Sequence, residues 1–342
     1  MKSCNFLNNL PLVSVIIPTY KRPTECVRAV RSVLLQTFQN FEIIVGDDFG
    51  SDQTEALLLE LNDPRIRYFK NGDAGGSASK NRNLCVSRSR GKYLTFLDSD
   101  DFILPRKLEL QVSALEQASS EAGFAIAGTR VVKVCQGKYY RYSDLIPTTE
   151  GDVREAYFSR RLGCYNTSLM VRREALDAVG GWDPTAGPYD DSELIMRLLL
   201  RYHAVRVEAI STLWFDHDGN DSFSNDQVAR RLGLEAFITK HADLLTIYPR
   251  WADFRIKELA KVLFVAGQPD SFRYWLKRLP ERSGMSLRLM HLISYIPCYT
   301  SALRALSMML SIFNKPTWLK ADAVFLQELI PEECVDVMKP IL

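Results

Sequence analysis

The sequence has few features of a secreted, zinc-binding or membrane-spanning protein. Its seven cysteines are an odd number, and no two of them form a Cys-x-x-Cys pair. They therefore predict neither a disulfide framework nor a zinc site, and a reducing cytoplasm suits them best. No stretch reaches the roughly 18 uninterrupted apolar residues of a membrane-spanning helix. Residues 1–20 lack the long apolar stretch and small-residue cleavage site of a signal peptide.

Two nucleotide-binding fingerprints are also missing. No Gly-x-Gly-x-x-Gly follows the first apolar run, and no Walker A sequence occurs anywhere in the chain, which disfavours a nicotinamide oxidoreductase. What is present is a globular composition, with 342 residues of which 46% are hydrophobic. This is enough for one large domain or two ordinary domains, each with a real core.

Positive charge is concentrated near the carboxyl end. The net charge is +2, yet residues 230–320 hold fifteen Lys and Arg against six Asp and Glu. Within them, 285–313 is apolar with Arg and His at intervals, a composition typical of helices that lie on anionic membranes or bind a lipid-linked diphosphate. The alternative is a helical subdomain that packs against the rest of the chain or a second copy. Because no recognition motif accompanies these residues, nucleic acid is not an expected partner.

The first hundred residues alternate between β-branched or aromatic runs and amphipathic stretches. This order predicts βαβ units, and hence a mostly parallel sheet that binds ligands at the carboxyl ends of its strands. The predicted strands are 13–18, 41–48, 66–70 and 92–100, and the predicted helices are 24–37, 52–62 and 78–90.

The rest of the chain predicts a mixed extension of the sheet, followed by helices. A helix at 106–120 precedes strands at 124–134 and 165–174, and a helix begins at Asp190 after a Gly/Pro-rich loop. Beyond about residue 225 the chain is predicted to be all helical, with breaks at prolines.

Carboxylates cluster where the fourth strand ends. Asp98 and Asp100 project to the same side of extended backbone because they are two residues apart, with Ser99 between them. Their mutual repulsion would be relieved by a hard divalent cation such as Mg²⁺ or Mn²⁺, shared with the phosphates of a nucleotide. The alternative is a solvated acidic turn.

Polar groups follow other strands as well. Asp47 and Asp48 end the second strand, where an Asp can accept hydrogen bonds from a base or ribose, and Tyr20 follows the first strand, where its ring could stack on a base. A glycine-containing loop then precedes Lys80 and Arg82 at a helix start, a combination that can hold a diphosphate.

Two further signals lie later in the chain. Asp190 and Asp191 open a helix, where carboxylates are favoured by exposed N–H groups; the functional alternative is a general base whose pKa the helix start lowers. His217 follows a short predicted strand among Asp and Gly residues. It is either a structural histidine or a contact to metal or phosphate.

Together these motifs resemble family 2 glycosyltransferases, inverting enzymes with the GT-A fold, over about residues 12–220. The resemblance rests on PTYKRP after the first strand, DDFGSD, KNRN, FLDSDD and GGWDPTAGPYDDSELIMR. Two departures occur: Phe49-Gly50 replaces the usual Gly-Ser, and Asp190 replaces the usual Glu. Neither departure removes a required charge.

The resemblance implies a role for each matching residue. Asp191 would be the catalytic base, and Asp100 and His217 would be ligands of Mn²⁺ or Mg²⁺. The implied donor-binding residues are Pro18, Tyr20, Asp47, Asp48, Lys80, Arg82, Asp98, Ser99 and Asp190.

The resemblance also implies an organisation and a reaction. Residues 1–222 would form a GT-A domain, Rossmann-like with a mostly parallel mixed sheet, in which 12–101 bind a UDP-sugar donor and 102–222 an acceptor. The acceptor would be a glycan or lipid-linked saccharide in polysaccharide, O-antigen or capsule biosynthesis. Residues 223–342 would be a helical region that contacts acceptor, membrane surface or a second copy. We expect a cytoplasmic protein, peripheral at the membrane.

Two other functions stay open at this point. A sugar-phosphate nucleotidyltransferase also uses a Rossmann-like sheet and a metal, although it needs a Gly-rich basic loop directly after the first strand, which is absent. Release of nucleoside diphosphate rather than pyrophosphate would separate the two enzymes. A non-catalytic module that binds nucleotide-sugar or glycan is the alternative outside enzymes.

Overall fold

The structure of the chain is a computed structural model, which describes residues 10–72, 77–135, 138–147, 153–159, 161–217, 227–278 and Tyr295. A single sheet of nine strands runs through the described part, in the order β3-β2-β1-β4-β8-β6-β9-β5, with β7 paired to β6. The strands are β1 Val13–Thr19, β2 Phe41–Asp47, β3 Ile66–Lys70, β4 Tyr93–Phe96, β5 Phe102–Ile103, β6 Ala122–Cys135, β7 Lys138–Leu145, β8 Leu169–Arg172 and β9 His203–His217.

Helices connect and cover these strands. The predicted helices between the first four strands are all present, although each is shorter than its amphipathic stretch because the ends are loops. The α-helices are α1 Pro23–Leu34, α2 Thr54–Leu59, α3 Ala78–Arg88, α4 Lys107–Gln117, α5 Val153–Phe158, α6 Arg173–Ala178, α7 Asp190–Arg201, α8 Gln227–Lys240, α9 Leu244–Ile247, α10 Pro249–Val265 and α11 Pro269–Leu276.

The sheet has a parallel half and a mixed half. Strands β1 to β4 pair in parallel, which places their carboxyl ends on one edge. Strand β8 then pairs antiparallel with both β4 and β6, and β9 runs parallel to β6. The predicted parallel sheet with a mixed extension is therefore confirmed.

Strand β1 is buried on both of its faces, as its continuous apolar sequence requires. Val15 belongs to a core formed with α1 and α4, whereas Ile16 belongs to a second core formed with α3, α6 and α7. These two layers of helices hold the sheet between them. The carboxyl end of each parallel strand is consequently the part left open to a ligand.

Helix α3 packs unusually closely on β2. A Cβ atom built on Gly46 would lie 2.2 Å from Asn81 Oδ1, so a larger residue would push the helix away from the sheet. Asn81 also donates a 2.8 Å hydrogen bond from Nδ2 to the Gly46 carbonyl. This close approach fixes α3, and with it the neighbouring Arg82, against the strand ends.

Two predictions on strands need correction. The strand expected at 165–174 is only β8, because Asn166–Ser168 form a 3₁₀ turn. The Asn166 Oδ1 atom accepts a hydrogen bond from the Thr167 amide at 2.7 Å, a local bond that competes with strand pairing. In contrast, the short strand expected before His217 is the fifteen-residue β9, which pairs along most of β6.

The helices after residue 227 share a core with the sheet domain. Phe158 belongs to α5, Met196 belongs to α7, and Tyr189 directly precedes α7. These three side chains pack with apolar side chains of α8, α10 and α11. The predicted helical character is thus confirmed for 227–278. The predicted domain boundary at 222/223 lies outside the described residues, as does the apolar basic stretch 285–313 apart from Tyr295. No helix in the described ranges is both long enough and apolar enough to cross a bilayer.

A buried carboxylate joins α7 to α8. Glu193 has no exposed surface, and it accepts hydrogen bonds from Arg197 Nε at 2.8 Å, from Lys240 Nζ at 2.8 Å and from the His241 ring at 3.2 Å. Burial opposes ionisation of Glu193, but the bonds from His241, Arg197 and Lys240 outweigh it and lower its pKa to about 2. Lys240 also donates to Asp183 at 2.6 Å, in the loop before α7.

We predict that Glu193→Gln destabilises the protein by about 3–5 kcal/mol at pH 7, because it removes the fully buried anion that Arg197, Lys240 and His241 share. Urea unfolding measures this loss. The control is Glu235→Gln, which breaks the pair with Arg231 on the surface of α8 and should cost about 1 kcal/mol or less. The ionised Glu193 stabilises the fold above pH 4.5, and this contribution is lost as the pH falls towards 2. Equal losses in the two variants would contradict the prediction.

Candidate active site

Acidic side chains gather at the open edge of the parallel strands. Strands β1 and β2 end side by side at Thr19 and Asp47, and β4 ends two residues before Asp98. The first turn of α7, with Asp190 and Asp191, lies against the same edge through contacts with α3. Residues that are far apart in the sequence therefore meet in one site.

Arg82 is the cation at the centre of this cluster. One guanidinium nitrogen donates to Asp98 Oδ1 at 2.7 Å and another donates to Asp190 Oδ2 at 2.8 Å. The side chain is only 6% exposed and its guanidinium carbon lies 4.4 Å from the ring centroid of Trp182. Burial disfavours the charge, but Asp190 and Asp98 outweigh it and raise the pKa of Arg82.

Asp190 fixes the start of α7. Its Oδ2 atom also accepts a 2.7 Å hydrogen bond from Ser79 Oγ in α3, and its Oδ1 accepts from the Asp191 amide at 2.8 Å. Both oxygens are thus used to hold the helix start against α3. The next carboxylate, Asp191, has no hydrogen bond of this kind to α3 among the described residues.

Asp191 is a partly exposed carboxylate with a raised pKa. Its Oδ1 accepts a hydrogen bond from the Ser192 amide at 2.5 Å. Burial and the negative charge of Asp190 raise its pKa to about 6, against the opposing effects of the Ser192 amide, Arg82 and Arg255. The expectation that the helix start lowers this pKa is therefore wrong. A carboxylate with a pKa of about 6 is mostly ionised at neutral pH and still basic enough to take a proton.

Asp98 is held by two partners on one side. Besides Arg82, the Asn166 amide nitrogen lies 3.1 and 3.2 Å from the two carboxylate oxygens. The 3₁₀ turn that shortens β8 is what directs Asn166 towards this site. The opposite side of Asp98 remains partly exposed to a ligand.

Asp100 and His217 come together through strand pairing. Phe102 in β5 pairs with Leu213 in β9, so the end of β9 lies beside the acidic turn. His217 Nε2 is 3.9 Å from Asp100 Oδ2, and the same oxygen accepts from Arg22. Burial, together with the charge of Asp98, raises the pKa of Asp100 in spite of Arg22 and His217.

The next carboxylate has a structural contact. Asp101 is buried and accepts a hydrogen bond from the Phe215 amide at 3.0 Å. Its second oxygen has no hydrogen-bond partner among the described residues. Burial and the nearby Asp100 and Asp98 raise its pKa well above the usual range. Asp98 and Asp100 therefore oppose the ionisation of Asp101, and a positive ion in this turn would relieve the repulsion.

These residues fit a hard divalent cation. Asp100 supplies carboxylate oxygens and His217 an imidazole nitrogen, ligands that Mn²⁺ accepts, and the excess of carboxylates favours a positive ion. No group of three or more His, Cys, Asp and Glu side chains arranged for a metal is present within the described ranges. Two protein ligands are nevertheless the usual number for an ion that is shared with nucleotide phosphates.

An exposed aromatic corner lies beside the ends of β1 and β2. Tyr20 and Phe49 meet edge to face with ring centroids 5.7 Å apart, and both rings are partly exposed. The Lys21 ammonium lies 5.1 Å from the Tyr20 ring and 4.7 Å from the Phe49 ring. Phe49, which departs from the usual family sequence, is therefore part of this surface.

Other predicted donor-binding residues occupy different positions. Asp47 is buried; its carboxylate accepts from the Phe49 and Gly50 amides and from the Tyr68 hydroxyl at 2.8–3.0 Å, so it holds the turn. Pro18 is buried within β1, opposite Gly46. Ser99 is buried between the two acidic residues, whereas Asp48 is partly exposed and Lys80 fully reaches the surface at the start of α3.

Sequence reasoning missed four residues of this site. They are Arg22 beside Asp100, Asn166 beside Asp98, Trp182 beneath Arg82, and Arg255, whose charge acts on Asp191. Arg22 and Trp182 lie inside the motifs PTYKRP and GGWDP, so they could have been found as companions of the quoted residues. No sequence signal connects Asn166 or Arg255 to the site.

The chain is similar in sequence to known glycosyltransferases. Residues 14–180 match the family model described as Glycosyl transferase family 2. The chain is 40% identical over 104 residues to an Escherichia coli UDP-Glc:alpha-D-GlcNAc-diphosphoundecaprenol beta-1,3-glucosyltransferase, WfgD; the match covers 30% of this chain and 41% of that relative. Curated relatives are matched over 18% to 62% of their own lengths.

Solved structures share the fold. S. aureus TarS 1–349 in complex with UDP-GlcNAc superimposes with a TM-score of 0.64 at 16% identity, covering 86% of this chain and 91% of that one. A mannosyltransferase from Pyrobaculum calidifontis, in complex with GDP-Man and Mn²⁺, gives 0.52 at 14% identity, covering 89% and 81%. The expected GT-A architecture is thereby confirmed. Residues 14–180 of the chain therefore form a domain of glycosyl transferase family 2.

Proposed function

We propose that this chain is an inverting glycosyltransferase that moves a sugar from a nucleoside diphosphate sugar, with UDP as the expected nucleotide, to an acceptor hydroxyl. The observation that carries the proposal is the bridge from Asp98 through Arg82 to Asp190, which holds the neighbouring Asp191 beside the strand ends. A donor site and a carboxylate base are thus joined by one buried cation.

The donor would lie along the strand ends. The exposed corner of Tyr20 and Phe49 offers aromatic surface to the base. The Asp48 amide donates to the Thr19 carbonyl, which keeps the partly exposed Asp48 beside this corner, where it would contact the base or ribose. Lys80 is exposed at the start of α3, where its charge and the position at a helix N-terminus favour a diphosphate. Arg82, already held by two carboxylates, orients Asp98 towards the sugar or ribose.

Asp100 and His217 are the residues that would hold Mn²⁺ or Mg²⁺. A bound cation would supply charge neutralisation to the departing diphosphate as a Lewis acid. Arg22 donates to the Asp100 oxygen that a bound cation would use. With the cation in place, the Arg22 guanidinium would instead contact a phosphate. The complex of the related fold with GDP-Man and Mn²⁺ supports this assignment.

Asp191 would act as the general base. It accepts the proton of the acceptor hydroxyl while the acceptor oxygen attacks the anomeric carbon from the face opposite the diphosphate. The bond from the anomeric carbon to the diphosphate oxygen breaks, and its electron pair leaves with the nucleoside diphosphate. One displacement of this kind inverts the anomeric configuration. The fixed helix start keeps the base in place for it.

The acceptor proposed is a lipid-linked saccharide in polysaccharide biosynthesis, used at the cytoplasmic face of a membrane. Support comes from the E. coli relative, whose name specifies a diphosphoundecaprenol-linked acceptor. The basic composition of residues 230–320 is consistent with an anionic acceptor or lipid surface.

We predict that Asp191→Asn lowers kcat by about 10²–10⁴-fold, the usual contribution of a general base, while donor binding is retained. Turnover is measured as released nucleoside diphosphate, and donor binding by calorimetry. Asp177→Asn, an exposed change in α6, is the matched control and should leave both unchanged. Near-normal turnover in the Asp191 variant would show that the base lies elsewhere.

The pH dependence of kcat/KM should follow the ionisation of Asp191. Because the pKa is about 6 and the base works only when deprotonated, kcat/KM should be constant near neutral pH and fall tenfold per pH unit below about 6. A rate profile from pH 4.5 to 8 with saturating metal measures this limb. A profile that stays flat to pH 4.5 would contradict the assignment.

Metal and donor should bind together. In a thermal-shift experiment, UDP-sugars should raise the melting temperature more with Mn²⁺ than without it, because a ligand of the folded state stabilises that state. Asp100→Asn should remove the Mn²⁺-dependent part, and Asp177→Asn should not. A full metal-dependent shift in Asp100→Asn would place the ion on other residues.

A further inference from the structure

Arg255 belongs to α10 but lies next to the turn that precedes the base. It is 8% exposed, and its guanidinium carbon is 5.5 Å from the Tyr189 ring centroid and 5.1 Å from that of Phe237. Tyr189 immediately precedes Asp190, the first residue of α7. A buried cation of the C-terminal helices is therefore in contact with the residue that leads into the catalytic helix.

Glu258 links this cation to Tyr189 a second time. Its Oε2 atom accepts from Arg255 Nη1 at 3.0 Å, and its Oε1 atom accepts from the Tyr189 hydroxyl at 3.0 Å. Helix α8 approaches the same turn so closely that a Cβ atom on Gly233 would lie 2.6 Å from the Ala186 carbonyl oxygen. The start of α7 is thus contacted by the C-terminal helices on one side and by Arg82 on the other.

The pairing with Glu258 engages only one nitrogen of the Arg255 guanidinium. Its Nε atom is buried and has no hydrogen-bond partner in the part of the chain that the structure describes. The field of the guanidinium reaches Asp191, where it favours the ionised carboxylate. The other charged or titratable groups that act on Asp191, or that it acts on, are Asp190, Arg82, Tyr157 and Cys164.

We propose that Arg255, paired with Glu258, is a positioning residue for Asp191, and that the C-terminal helices therefore form part of the catalytic apparatus. This inference rests on the proposed role of Asp191 as base. Arg255 contacts Tyr189 rather than substrate, so its effect is exerted through the orientation and ionisation of the neighbouring carboxylate. Helix α10, which follows both the family-matched range 14–180 and the base itself, would then be required for normal activity at neutral pH.

The two partners should act on the base in opposite directions. Arg255→Met keeps an apolar side chain of similar length but removes the positive charge, so the acid limb of kcat/KM should move to higher pH. Glu258→Gln keeps the shape and removes the negative charge that offsets Arg255, so the limb should move to lower pH. Each shift should be roughly 0.5 to 1 pH unit, which corresponds to about 0.7 to 1.4 kcal/mol of interaction with the carboxylate.

The experiment compares full pH profiles of the complete chain and these variants. Arg255→Lys, which keeps the charge, should restore most of the wild-type midpoint. Arg231→Met removes an equivalent charge from the surface of α8, where Arg231 pairs with Glu235, and should leave the midpoint unchanged. Circular dichroism and melting temperature show which variants are folded. If Arg255→Met does not fold, the shift in Glu258→Gln decides.

Opposite shifts of the two variants support the proposal, because a purely structural defect lowers turnover without moving the limb in opposite directions. Unshifted midpoints in folded Arg255→Met and Glu258→Gln, or a shift equal to that of Arg231→Met, would overturn it. The proposed function fails separately: if Asp191→Asn retains turnover, the base is wrong whatever the Arg255 variants do. Loss of turnover in Asp191→Asn with unmoved limbs overturns only the role of Arg255.

Discussion

The structure of the site depends on one buried guanidinium that two carboxylates share. Arg82 connects Asp98, at the end of β4, to Asp190, at the start of α7. Because each carboxylate would repel the other without it, the cation is what allows the end of β4 and the start of α7 to meet at one edge of the sheet. Gly46 contributes indirectly to this bridge. Because Gly46 has no side chain, α3 packs close to the sheet and Arg82 lies near the strand ends.

The first turn of α7 shows how neighbouring charges give two carboxylates of one helix start very different pKa values. Glu193 receives bonds from Arg197, Lys240 and His241 and its pKa falls to about 2, so it serves as a fixed anion. Asp191, two residues earlier, is partly buried beside another carboxylate, and its pKa rises to about 6. The helix start is common to both residues, and the difference lies in the cations that reach each one.

Much of the fold was predictable because it follows from local pattern. Alternating apolar runs indicated the strands, and the motif order indicated which strand ends carry Asp98 and Asp100. The long-range parts were not predictable: the 3₁₀ turn that aims Asn166, the pairing of β5 with β9 that brings His217 to Asp100, and the buried Arg255 all depend on tertiary packing. The same packing explains why the pKa of Asp191 rises although a helix start alone would lower it.

The central claim is that the acidic edge around Arg82 receives the diphosphate of a nucleotide-sugar, with Asp191 facing the anomeric carbon. A crystal structure of the chain with UDP and Mn²⁺ tests it most directly. The account predicts the ion on Asp100, the phosphates beside the start of α3, and the Asp191 carboxylate open to the space where the sugar would lie. Nucleotide and ion bound together in a different cleft would contradict the account.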